Sequence, residues 1–235
     1  PAGRLRGGRL ATFRRRLAAL LAAPPSAPGP AVDQLEFVRV LADTLESKDR
    51  YTHGHSQRVA HYAALLGQEL GMSDRELRDL QLASFLHDIG KVGVCERYIR
   101  KQGRLTPEEW AAVRAHPEIG AQLVAPLRLP HAVTSAVRHH HERIDGRGFP
   151  DRLRGSDISV PARVVAIADA FDAMTSDRPY RRALGREAAL EELRRCAGTQ
   201  FDATFVERFV RLLSRQPGLA AAGGRRGGGV REGCA

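Results

Sequence analysis

Nine histidines lie among the 235 residues, and their neighbours say more than their number. His87-Asp88 ends the apolar run Ser84-Phe85-Leu86 and is followed by Ile89-Gly90-Lys91. His139, His140 and His141 stand in a row, and Asp169 sits inside the apolar segment VVAIADAFDAM. A bare carboxylate in such a segment is costly to bury and calls for a cation or hydrogen bonds. The same holds for the His87-Asp88 pair. Mixed imidazole and carboxylate donors suit borderline divalent ions such as Mn, Fe, Co or Zn. A site for Ca or Mg would be built from oxygens instead. Cys95, Cys196 and Cys234 are too widely spaced for a structural zinc site or a disulfide framework, and a reducing cytoplasm is the simplest setting. A single histidine is most simply an ordinary surface or core residue. The HD pair, the HHH run and the apolar-flanked aspartate together point to a metal centre.

The elements that must position these groups read as helices. Val32, Leu35, Val38, Leu41 and Leu45 recur at helical spacing, as do Val59, Ala63, Leu66 and Leu70 ahead of Gly71. Ser73 with Glu76 predicts a capping box before Leu77, Leu80 and Leu86. Thr106-Pro107-Glu108-Glu109 predicts another, with proline at the first helical position. Pro130 and Pro161 can open two more helices, and Asp202 can cap a last one carrying Phe205, Phe209 and Leu213. No run with a period of two residues suggests a strand. The fold expected is all-α, a bundle of about seven or more helices with the metal centre between them. The HD pair would close one helix, and the paired histidines would close the helix begun near Pro130.

The formal charge of +10 could suggest a nucleic-acid partner, but its distribution argues otherwise. Residues 1–30 hold six arginines and no acid, and residues 217–235 hold three arginines against one glutamate. Only about +2 of the charge therefore belongs to residues 31–216, so neither DNA nor RNA is expected as a partner. Residues 9–23 read as a basic amphipathic helix, and PPSAPGP (24–30) reads as a linker. That stretch is most simply the end of an upstream domain, although such a helix can also lie on a membrane or pack on a partner. The Gly/Arg-rich end, 217–235, has the composition of a disordered tail. The folded domain is expected over 31–216.

Five motifs, in order, carry a more specific resemblance: HGHSQRVAHYA, FLHDIGK, LTPEEWAAVRAHPEIG, HHERIDGRGFP and VVAIADAFDAMTSDRPYRRA. Together they resemble the HD-GYP family, a branch of the HD superfamily of metal-dependent phosphohydrolases. The match runs from about Leu35 to Phe209. The resemblance implies that His55, His87, Asp88 and Asp169 hold one divalent ion. It implies that Asp88 bridges to a second ion, completed by His116, His140 and His141. Two transition-metal ions are implied, with iron or manganese foremost. His53, His61, His131 and His139 match no ligand position.

The implied reaction is hydrolysis of cyclic di-GMP to linear pGpG, GMP or both, with a metal-bridging hydroxide attacking phosphorus. Lys91 would neutralise phosphate charge or protonate the leaving oxygen. Arg178 and Arg181, in DRPYRR, would contact the cyclic dinucleotide, for which the planar guanidinium fork is suited. Gly146, Gly148, Phe149 and Pro150 would shape the namesake loop beside the substrate. The alternatives are another cyclic dinucleotide or nucleotide, or an idle module that binds cyclic di-GMP or a cyclase partner. An upstream sensor or receiver domain would supply the signal. Two departures stand out. Phe149 replaces the namesake tyrosine, and Tyr51 stands where some members carry a glutamate for a third ion.

Overall fold

The computed structural model describes residues 34–46, 54–99, 101, 103–177 and 182–215. The basic segment 9–23, the linker, Tyr51, His53, Arg178, Arg181 and the tail lie outside the described residues. Among the described residues there are ten α-helices and no strand, as the helical periodicity predicts. They are α1 (Gln34–Glu46), α2 (His55–Glu69), α3 (Asp74–Leu86), α4 (Glu96–Ile99) and α5 (Pro107–Arg114). There follow α6 (His116–Val124), α7 (His131–His139), α8 (Val160–Thr175), α9 (Arg186–Arg195) and α10 (Ala203–Arg215). No described helix is long and apolar enough to cross a membrane.

The helix starts follow from local chemistry. The Ser73 and Thr106 side chains accept from the Glu76 and Glu109 amides, and both glutamates return the bond, so both predicted capping boxes form. Asp202 caps α10 by accepting from the amides of Thr204 (2.9 Å) and Phe205 (3.2 Å). Gly54, at φ 72°, turns the chain into α2 through a left-handed conformation that glycine adopts without steric cost. His55 is therefore the first residue of α2.

Helices α2, α3, α7 and α8 surround the core, with α10 packed on α2 and α9 on α8. Val206, Phe209, Val210 and Leu213 bury one stripe of α10. Tyr62, Phe171 and Phe209 meet edge to face, with centroids 5.0 and 5.3 Å apart along the chain of rings, joining α2, α8 and α10. Such pairs add about 0.5–1.5 kcal/mol each beyond area burial.

The closest backbone approach lies beside the HD pair. The turn Ile89–Gly93 is a 3₁₀ helix that rests on α6. A Cβ on Gly90 would lie 1.8 Å from the His116 carbonyl oxygen and 2.6 Å from the Gly120 amide nitrogen. Only glycine fits without moving α6. Gly90→Ala is expected to destabilise the chain by about 3 kcal/mol, at the upper end for overpacking. The melting temperature should then fall by about 6–12 °C for a domain of this size. Thermal unfolding followed by circular dichroism checks this, and an unchanged midpoint would show that α6 yields freely.

Candidate metal centre

The site is assembled from the ends of four helices and the middle of a fifth. His55 opens α2, His87 caps the end of α3, and Asp88 and Lys91 follow in the 3₁₀ turn. His116 opens α6, His140 and His141 follow α7, and Asp169 projects from the middle of α8. Every predicted ligand position is thus brought to one cleft.

Two clusters form there. The donor atoms of His55, His87 and Asp88 lie within 4.8 Å of one another, as do those of His116, His140 and His141. Asp169 joins the first cluster, its Oδ1 being 3.4 Å from His55 Nε2. Asp88 lies between the two. Its Oδ2 is 3.5 Å from His87 Nε2 and 3.8 Å from His55 Nε2, while its Oδ1 is 3.3 Å from His116 Nε2. The Lys91 ammonium rests against Asp88 Oδ2.

The outer face of each ring fixes which nitrogen is free. His87, His116 and His140 direct Nδ1 to the carbonyls of Ser84 (2.7 Å), Val113 (2.7 Å) and Val137 (2.9 Å). With Nδ1 donating, the neutral ring presents a bare Nε2 to the cleft. His116 Nε2 and His140 Nε2 then face each other at 3.3 Å. Two lone pairs converging at that distance fit a shared cation. His87 Nε2 is fully buried with no hydrogen-bond partner. A buried orphan acceptor is costly unless it ligates something. The donor set therefore fits divalent metal ions, and of the borderline kind.

The electrostatics agree. Burial, then the neighbouring histidines His141, His87 and His116, hold His140 well below the ordinary histidine range. Burial pushes His141 down to about 4, so both rings are neutral donors at physiological pH. Burial alone would raise Asp88, but the Lys91 ammonium overcomes it and holds the carboxyl well below its usual range. Asp169 is likewise lowered, chiefly by His55, against the opposing effect of burial.

The loop after the paired histidines closes one side of the cleft. A Cβ on Gly148 would lie 2.4 Å from the Arg143 amide and 2.5 Å from Glu142 Cα, so the chain doubles back tightly here. Buried Glu142 accepts from the Asp151 amide at 2.7 Å, and the Phe149 amide donates to the His141 carbonyl at 3.3 Å. The Phe149 ring centroid lies 4.9 Å from that of His141, and the Arg114 guanidinium lies over the Phe149 ring, 4.5 Å from its centroid. Of the histidines that match no ligand position, His61 and His131 are exposed, and His139 pairs with Asp151 at 2.9 Å outside the clusters. The described cysteines, Cys95 and Cys196, are free thiols.

Sequence reasoning missed Asp172. It is buried one turn beyond Asp169 on α8, accepting from His55 and Arg58. The argument that singles out Asp169, a carboxylate in an apolar helix, applied to it equally.

A helical bundle that gathers histidine and aspartate donors into one cleft is the arrangement the HD motif points to. The HD domain family profile matches residues 39–205. The chain belongs to this family and is of the HD-GYP type that its motifs resemble. It is 38% identical over 178 residues to the cyclic di-GMP phosphodiesterase response regulator RpfG of Xanthomonas campestris, covering 75% of this chain and 47% of that protein. It is 37% identical over 174 residues to the 3'3'-cGAMP-specific phosphodiesterase 2 of Vibrio cholerae, covering 73% and 33% respectively. The chain thus spans half or less of the length of these curated relatives. Among solved structures, a cyclic GMP-AMP-specific phosphodiesterase of Vibrio cholerae superimposes with a TM-score of 0.62 at 21% identity, over 78% of this chain and 49% of that one. An HDG"Y"P protein of Bdellovibrio bacteriovorus gives 0.60 at 20% identity, over 87% and 70%. These likenesses show the shared fold.

Proposed function

We propose that the chain is a metal-dependent phosphodiesterase that hydrolyses cyclic di-GMP to linear pGpG, GMP or both. The observation that carries this reading is the pair of largely buried donor clusters with Asp88 between them. His55, His87, Asp88 and Asp169 would hold one ion, and Asp88, His116, His140 and His141 the other. Iron or manganese is the proposed metal. When bound, two such ions supply an acidified water and an electrostatic clamp on the phosphate. The protein's own part is to fix the donors, exclude water behind them and place Lys91 at the rim. Lys91 would meet the phosphate or pass a proton to the leaving 3' oxygen. Arg178 and Arg181 would grip the dinucleotide. The HD-GYP domain is proposed to span 31–216, in the cytoplasm, with an upstream sensor or receiver domain, or a cyclase, as partner.

A second reading is favoured by the Vibrio cholerae relative named as 3'3'-cGAMP-specific, which is as similar as those named for cyclic di-GMP. Turnover of cyclic di-GMP, 3'3'-cGAMP and cyclic di-AMP by the metal-loaded chain separates the readings. The proposal expects cyclic di-GMP to give the highest kcat/KM. A clear preference for 3'3'-cGAMP would favour the second reading, and no turnover by fully loaded protein would favour an idle binding module.

Two variants probe the substrate side. Arg178→Ala is expected to weaken substrate binding by about 1.5–3 kcal/mol, the scale of a charge-assisted hydrogen bond. Its metal content should be unchanged, and loss of metal at normal affinity would refute the role. Phe149 keeps a ring against His141 and lacks only a hydroxyl. One hydrogen bond has a net value of about 0.5–1.5 kcal/mol. Phe149→Tyr is therefore expected to change kcat by less than about tenfold. Restoration of strong activity to an inactive, fully metallated wild type would show that the hydroxyl is required.

A further inference from the structure

We propose that Asp172, held by Arg58, is the positioning residue of the centre. It fixes the His55 ring with Nε2 facing the cleft and makes the His55–His87 half the tighter of the two ion sites. The inference rests on the ligand set proposed above and concerns a residue outside it.

The geometry is a pair of matched helical steps. His55 and Arg58 are three residues apart on α2, and Asp169 and Asp172 are three apart on α8. Residues so spaced share a helix face. His55 and Asp169 meet at the cleft, 3.4 Å apart, and Arg58 and Asp172 meet one turn behind them. Between the two levels, His55 Nδ1 donates to Asp172 Oδ2 at 2.7 Å. Arg58 donates from Nε to Oδ1 at 2.6 Å and from Nη2 to Oδ2 at 3.1 Å, a two-point grip. Asp172 is 1% exposed, so water does not compete for its oxygens.

The partner of Nδ1 sets His55 apart. His87, His116 and His140 donate to main-chain carbonyls, whereas His55 donates to a carboxylate. Both kinds of partner fix the tautomer, but an anionic partner also raises the basicity of the ligating nitrogen. Formal charge points the same way. The first half has the Asp169 carboxylate as a donor besides its share of Asp88, while the second has three imidazoles and only its share of Asp88. A dication should load the first half before the second.

The competing view is that Arg58 and Asp172 simply staple α2 to α8. Titration of Mn(II) into the metal-free full chain, read by calorimetry, distinguishes them. The wild type should show two unequal dissociation constants. Asp172→Ala should raise the smaller one about 10–100-fold, the scale for loss of an outer-shell partner, and the larger one by less than about threefold. Asp172→Asn keeps an acceptor for His55 without the charge and should fall between. Equal shifts in both constants, or none, would overturn the proposal, and circular dichroism on the metal-free variants checks that the bundle persists. If Asp172→Ala does not fold, Asp172→Asn decides alone, an unchanged smaller constant overturning the proposal. A wild type that binds no Mn(II) would refute the ligand set itself, whereas two bound ions with indifferent Asp172 variants would refute this inference only.

Discussion

Asp88→Ala is expected to strip both ions and reduce cyclic di-GMP hydrolysis to background. Asp88 reaches both clusters, with Oδ2 towards His55 and His87 and Oδ1 towards His116. Without it the second cluster is three imidazoles with no anionic donor, and the first keeps only Asp169. In the proposed mechanism the ions would supply most of the transition-state stabilisation, so the rate should drop by more than about 10³-fold. Elemental analysis of the purified variant, alongside its rate, checks both parts. Two ions retained at a normal rate would contradict the bridging role. Asp88→Asn keeps the shape of the side chain and guards against misreading a folding defect.

Lys91→Ala is expected to lower kcat by about 10²–10³-fold, within the range for a lost acid or charge-stabilising group, while both ions stay bound. The side chain is 34% exposed and leans on Asp88, so it can swing from the carboxylate to an incoming phosphate. Lys91→Arg keeps the charge but not the compact ammonium, and should recover only part of the rate. Rate and ion content measured together separate the two aspartate and lysine predictions. A Lys91→Ala variant that loses its ions would make Lys91 a partner of Asp88 rather than of the substrate.

The local rules of helix formation were legible because they are local. Ser73, Thr106 and Asp202 cap the helices they were expected to cap, since a cap needs only the next three residues. The seven donor positions came from the family resemblance, and the structure brings all seven to one cleft. Their burial was foreshadowed at Asp88 and Asp169 by apolar flanks. Relations between distant segments were not legible. Asp172 meets His55 and Arg58 from more than a hundred residues away, a contact that no spacing reveals. The Arg114 guanidinium over Phe149 likewise joins segments that no local spacing connects. Gly90 reads as part of FLHDIGK, but its need for glycine comes from the His116 carbonyl of α6 pressed against it.

The most direct test of the account is the number of divalent ions per chain in full-length protein purified without chelator, counted by elemental analysis. Seven donors, with Asp88 shared as proposed, would provide for two ions with open positions. Tyr51 stands where a third ion would need a carboxylate, and a phenol with an ordinary pKa near ~10 is a poor ligand. The account predicts two ions per chain, falling to none in Asp88→Ala. Three fully occupied ions in the wild type, or none, would contradict it.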